Sequence, residues 1–178
     1  MARIPYADPD HPEVRALAER IKAERGSVLH LYRMLLHSPA VAEGWLAYLT
    51  AIRYRSALPG AIRELVIMRV AVLNGAPYEA DQHAPIALRE GVTQAKLDAL
   101  AGWDGSDLFD ARERAVLAYT DAMTRRIQVP DEVFSAVRAA FDDKFLVELT
   151  ATVAAYNMVS RFLEALQVHS HDRPGAEG

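Results

Sequence analysis

The stretch RELVIMRVAVLNGAPYEADQHAPIALREG, residues 63–91, decides how the chain is read. Its first half is apolar apart from Arg63, Glu64 and Arg69, and it ends at Asn74-Gly75, a turn or helix C-cap signal. Its second half opens at Pro77, a residue suited to the first helical position, and stops at Gly91. This predicts a helical hairpin. The first helix, over 61–73, should be central and largely buried. The second runs over 77–90, with Pro85 inside it as a source of a kink or an early tight turn. Polar side chains crowd into this hairpin: Glu64 on the first helix, and Tyr78, Glu79, Gln82 and His83 at the start of the second. Glu79 and His83 are four apart, so on a helix they share a face with Cβ atoms roughly 5–6 Å apart. A carboxylate beside an imidazole on an apolar surface suits general acid–base chemistry. It equally suits a buried polar pair without chemistry. Glu64 reads either as a helix N-terminal acid facing the macrodipole or as a partner of His83. The turn does not fix which of Glu64 and Glu79 contacts the imidazole.

Working outward, the same helical period recurs. Residues 11–25 carry Val14, Leu17, Ala18 and Ile21 at helical spacing and stop at Gly26. A short apolar segment follows over 27–36. Ser38-Pro39 opens a helix to about Arg55, and Leu58-Pro59-Gly60 breaks the pattern. Beyond the central hairpin, Thr93 caps a short helix to about Leu100, and 102–107 reads as a loop. Amphipathic helices are expected over 108–126, from Pro130-Asp131 onward, and from Asp142-Asp143 to about Gln167, with 169–178 as a frayed tail. No period-two alternation is present. The fold class is all-α, a bundle of about seven to nine helices in one domain spanning 1–178. Arg63-Glu64-Leu65-Val66 is loosely echoed by Val147-Glu148-Leu149-Thr150, a thin sign of a duplicated helical unit.

Composition narrows the function. The 178 residues are 51% hydrophobic and 25% charged, with a net charge of −4. That charge and the lack of a Lys/Arg cluster argue against nucleic acid as a partner. The chain has no cysteine, which removes thiolate catalysis and Cys-ligated metals. The opening MARIPYADPD carries acids and no apolar core, so no signal peptide is expected. No apolar run reaches the ~20 residues of a membrane span. A cytoplasmic protein without membrane contact is expected.

The remaining chemistry-bearing residues are weaker. Tyr78 could donate its phenol to a substrate oxygen, Gln82 could reach a ligand held by Glu79, and Asp81 should face solvent. His83 with Asp81, or with Glu79, makes only two ligands, too few for a metal site, and no HExxH accompanies them. Asn157 and Arg161 lie four apart in the apolar AAYNMVSRFLEAL. A buried arginine there would need a carboxylate, with Glu64 and Glu148 as candidates, and a structural ion pair or subunit contact is the favoured reading.

Over about residues 45–167 the chain resembles the carboxymuconolactone decarboxylase and alkylhydroperoxidase-D-like superfamily. The likeness is best in RELVIMRVAVLNGAPYEADQHAPIALREGV and in FDDKFLVELTATVAAYNMVSRFLEALQV. The peroxidase branch carries a Glu, a Cys twelve residues on, a second Cys three further and a His four beyond that. Laid on this chain, the Glu falls on Glu64 and the His on His83, while the cysteine positions hold Ala76 and Glu79. Thiol-dependent peroxide reduction is therefore closed to this chain. The resemblance to the decarboxylase branch implies an AhpD-like helical bundle without cofactor or metal, assembled as a homotrimer or homohexamer. It implies a carbon–carbon lyase acting on a small unsaturated lactone or carboxylate. In that reading His83, Glu79 and Glu64 are catalytic, and Tyr78, Gln82 and Arg63 (or Arg69 in its place) contact substrate. An isomerase or hydrolase on a related acid, and a non-catalytic oligomer that binds a small molecule, remain open alternatives.

Overall fold

The structure is a computed structural model and describes residues 1–173. Among them nine α-helices are present and no strand. They are α1 (Arg15–Arg25), α2 (His30–Leu35), α3 (Pro39–Thr50), α4 (Gly60–Asn74), α5 (Pro77–Arg89), α6 (Gln94–Ala99), α7 (Ala111–Arg126), α8 (Asp131–Ala140) and α9 (Asp143–Leu166). The all-α class and the helix number agree with the sequence. Two compact units are distinguished: Met1–Tyr54 with Leu163–Gly178, and Arg55–Phe162.

In the first unit α1 to α3 bury Ala18 and Ile21, Leu31, Tyr32 and Leu35, and Ala42, Leu46 and Leu49. Arg25 donates to Thr50 Oγ1 at 2.7 Å and to the Tyr32 hydroxyl at 3.2 Å, tying the ends of α1 and α3 together. Within the expected tail, Asp172 accepts from the Tyr6 hydroxyl at 2.6 Å, and His30 Nδ1 lies 3.0 Å from the His169 carbonyl. The part of that tail over 174–178 lies outside the described residues.

The second unit is built on α4, whose residues 64–71 are all buried. A helix enclosed on every side has no solvent face, which is why its sequence is nearly continuous apolar residues. Leu65 and Met68 of α4 pack with Ala87, Leu100, Trp103, Phe109 and Leu117 in one core. Gly75, at φ 60, turns α4 into α5, a left-handed backbone that a side chain resists. Ala76 N–H then bonds back to the Ala71 carbonyl at 2.9 Å and closes the hairpin. α5 runs through Pro85 without interruption. Pro85 is exposed, so the Asp81 carbonyl that loses its N–H donor sits on the solvent side.

Three boundaries differ from the sequence reading. The helix expected over 11–25 begins at Arg15. Where a loop was expected over 102–107, a 3₁₀ segment covers Leu100–Gly105. Leu100 and Trp103 both bury against the core, and the backbone kinks between them at Gly102, whose φ of −122° and ψ of 42° are not helical. The helix expected from residue 108 begins instead at Ala111, because Asp110 caps it. The Asp110 carboxylate accepts from Glu113 N–H at 2.9 Å, and Glu113 accepts from Asp110 N–H at 3.0 Å. This reciprocal box satisfies two helix-end donors. Asp110→Ala is expected to cost about 0.5–2 kcal/mol in urea unfolding, and Asp110→Ser clearly less. Equal losses for the two substitutions would show that the cap is not the cause.

Candidate active site

The α4–α5 hairpin brings Glu64 and His83 together. His83 Nδ1 lies 2.7 Å from Glu64 Oε2, with Glu64 fully buried and the His83 side chain 9% exposed. An ionised carboxylate only accepts, so Nδ1 carries the proton and donates it. That fixes the tautomer: in the neutral ring Nε2 is the basic nitrogen. The ring also meets Tyr156 of α9 edge-on, with centroids 5.0 Å apart at 88°. A positive ring edge against a π face favours this arrangement and holds the imidazole plane.

Arg63 completes the Glu64 environment. Its Nε donates to Glu64 Oε1 at 3.0 Å, and its Nη2 donates to Glu90 Oε1 at 3.3 Å. Burial pushes the Glu64 carboxyl up, but the hydrogen bond and charge of His83, then those of Arg63, outweigh it and hold Glu64 below its ordinary value of 4.5. The sign follows by linkage: a carboxylate with a depressed folded-state pKa stabilises the fold above the unfolded value, and loses that contribution as pH falls through the folded one. The stability advantage of wild type over Glu64→Gln is thus expected to be full at neutral pH and to shrink on acidification below about 4.5. Thermal unfolding of both proteins across acid pH measures it. A constant difference would refute the ionised pair.

Glu79 is also buried, but it turns toward α9. Ser160 Oγ lies 2.5 Å from Glu79 Oε2 and 2.7 Å from the Tyr156 carbonyl oxygen. Glu64 is therefore the carboxylate whose hydrogen bond orients His83, while Glu79 is tied to Ser160. Tyr78 is buried, Gln82 is half-buried, and Asp81 is exposed as expected. Arg63 sits between two carboxylates, and Arg69 is committed to Asp121 on α7.

Of the two roles expected for Arg161, the buried ion pair is not the one it takes. It is exposed and donates to Asn157 Oδ1 at 2.7 Å, so the carboxylate a buried arginine would require is not needed. Neither suggested carboxylate serves it: Glu64 holds His83 and Arg63, and Glu148 accepts from Ala57 N–H at 2.9 Å. Asn157 is the buried member of that pair. It links α9 to Asn74 at 3.1 Å and to Thr124 at 2.9 Å. Ser160 and Tyr156 were not singled out in the sequence. A lone hydroxyl one helical turn from a tyrosine in an apolar run was the only signal. Among the described residues, no group of three His, Cys, Asp or Glu could hold a metal ion, and no helix is long and apolar enough to cross a membrane.

The wall of the site is thus an ionised carboxylate, an oriented imidazole and a second buried carboxyl, in a chain without cysteine. The carboxymuconolactone decarboxylase family model matches residues 39–122, a span that holds Glu64, Glu79 and His83. The uncharacterized protein YnjA of Escherichia coli is 34% identical over 127 residues, 70% of this chain and 66% of YnjA. The uncharacterized protein YdfG of Bacillus subtilis is 28% identical over 114 residues, 63% of this chain and 78% of YdfG. Among solved structures, an alkylhydroperoxidase AhpD core, an uncharacterized peroxidase-related protein from Ralstonia eutropha, superposes with a TM-score of 0.80 at 20% identity. The alignment covers 99% of this chain and 93% of that one, a likeness of fold.

Proposed function

The chain belongs to the carboxymuconolactone decarboxylase and AhpD-like superfamily, and from that premise we propose that it is a general acid–base enzyme of the decarboxylase type. Its substrate would be a small unsaturated lactone or carboxylate, turned over without a cofactor. The observation that carries this reading is the buried 2.7 Å contact from His83 Nδ1 to Glu64, in a chain with no cysteine at either thiol position. An imidazole oriented by a carboxylate is proton-transfer equipment. A peroxidase of the thiol kind needs a sulfur that is absent.

The carbon–carbon bond to the carboxylate breaks, CO₂ leaves, and the electron pair moves into the conjugated carbonyl as a dienolate. The His83 imidazolium, stabilised by the Glu64 carboxylate, gives its Nε2 proton to carbon and returns to the neutral tautomer that still donates from Nδ1. Water restores the proton. The partner is then a small carboxylate or lactone, and the assembly a cytoplasmic homotrimer or homohexamer. Mass-spectrometric screening of lactone and enol-acid substrates with wild type and His83→Gln tests it. Conversion by wild type that His83→Gln loses supports the reading. Equal conversion by both would sink it, and saturable binding without conversion would mark a binding protein.

A further inference from the structure

We propose that Glu79 is stored as a neutral carboxylic acid, kept so by Ser160, and that it gives the site a proton separate from the one on His83. Ser160 is fully buried, and its hydroxyl oxygen lies 2.5 Å from Glu79 Oε2 and 2.7 Å from the Tyr156 carbonyl oxygen. A hydroxyl has one proton to donate, and a carbonyl oxygen can only accept. Were Glu79 ionised, two acceptors would compete for that single hydrogen. One short oxygen–oxygen contact would then lack a proton, in a place that water does not reach. A proton on Glu79 resolves both contacts as a directed chain: Glu79 O–H donates to Ser160 Oγ, and Ser160 O–H donates to the Tyr156 carbonyl.

The surrounding charges do not decide this state. On its own helix Glu79 has His83 one turn on and Tyr78 beside it. From α4, Glu64 bonds to His83 and is itself flanked by Arg63. From α9 come Ser160 and Tyr156, with the exposed Arg161 next in the chain. Glu64 is the ionised carboxylate of this group and its hydrogen bonds commit Arg63 and His83 to it, so the single hydrogen of Ser160, rather than net charge, decides the state of Glu79. Two carboxyls in different environments then have different tasks: Glu64 sustains the imidazolium, and Glu79 holds a transferable proton. When that O–H bond breaks, the proton passes to the dienolate oxygen formed as CO₂ leaves and the electron pair stays on Glu79. The Ser160 hydroxyl then rotates from the Tyr156 carbonyl to the new carboxylate and donates to it, a charge-assisted bond at the observed spacing. Once His83 has protonated carbon, the enol O–H returns its proton to Glu79, so the reaction consumes one proton overall. Ser160 is a positioning residue that serves both states.

The neutral state of Glu79 stands independently of the proposed reaction. Its role as donor rests on the acid–base reading above. Infrared spectra of the protein labelled with ¹³C-carboxyl glutamate separate the two. A protonated-carboxyl stretch at neutral pH, shifted by the label and by deuterium, is expected in wild type. It should vanish in Glu79→Gln and be displaced or lost in Ser160→Ala. Only carboxylate bands in wild type would overturn the proposal, and a band untouched by Ser160→Ala would overturn the part given to Ser160. Once a substrate is found, Glu79→Gln is expected to lower kcat about a hundredfold or more with KM little changed. Wild-type kcat in that variant would remove the donor role. If the band is present but His83→Gln keeps full activity, the reaction reading fails while the stored proton stands.

Discussion

Replacing Arg69 with Met is expected to cost about 3–5 kcal/mol of folding stability, the range for breaking a buried ion pair from one side. Arg69 is 2% exposed and uses every arm of its guanidinium. Nε and Nη2 grip the two oxygens of Asp121 at 2.6 Å each, and Nη1 donates to the Leu100 carbonyl at 2.6 Å. The fork therefore fastens α4 to α7 and to the Leu100–Gly105 segment in one step. Methionine keeps the stem volume but leaves Asp121 with weaker partners, Trp103 Nε1 at 3.4 Å and Arg125 at 3.9 Å, and removes the guanidinium donor from the Leu100 carbonyl. Asp121→Asn alone should also destabilise, because it strands the guanidinium. The double substitution should cost clearly less than the sum of the two, since each single change already breaks the same fork. Urea midpoints of the four proteins at an unchanged slope measure this. A loss under about 1 kcal/mol for Arg69→Met would mean the fork is replaceable by packing alone.

How far the sequence reaches can be seen residue by residue. The enclosure of α4 was legible, because a run from Leu65 to Ala71 interrupted only by Arg69 has no other place to go. The hairpin was legible from Gly75. The pairing of Glu64 with His83 was not. A turn sets which helices meet, but the register depends on how side chains interlock, and Glu79 at i−4 was an equally good partner on spacing. Ser160 was beyond reach for another reason. It meets Glu79 across 81 residues of chain, and no local pattern encodes a contact of that span. The start of α7 was misread because Leu108 and Phe109 look like helix residues, while the capping box two residues on stops the helix from extending back. The ion-pair reading of Arg161 failed because its apolar neighbours suggested burial. The α9 face it occupies turns outward, and Asn157 four residues earlier takes the interior position.

The largest effect expected on function is a loss of roughly 10²–10⁴-fold in kcat/KM when His83 is replaced by Gln, the usual range for a general acid or base. Glu64→Gln should fall in the same range although Glu64 does not transfer the proton. The carboxylate forces Nδ1 to carry a hydrogen and stabilises the charged ring, and the amide does neither. An amide NH₂ turned toward Nδ1 selects the opposite tautomer, and its lack of charge removes support for the imidazolium. If the two residues act as one device, the double variant will be no worse than the poorer single, because the second removal takes away nothing that still works. If they contribute separately, the losses will multiply. The distinction needs only three variants and one substrate, with circular dichroism to confirm that each remains folded. The pH profile gives an independent reading of the same pair. In wild type the ionised Glu64 favours the protonated imidazole, so the acid-requiring limb should persist to higher pH than in Glu64→Gln, where the ring loses its proton earlier. A limb that does not move between the two proteins, together with multiplicative losses, would leave the 2.7 Å contact as a packing feature and remove the dyad from the chemistry.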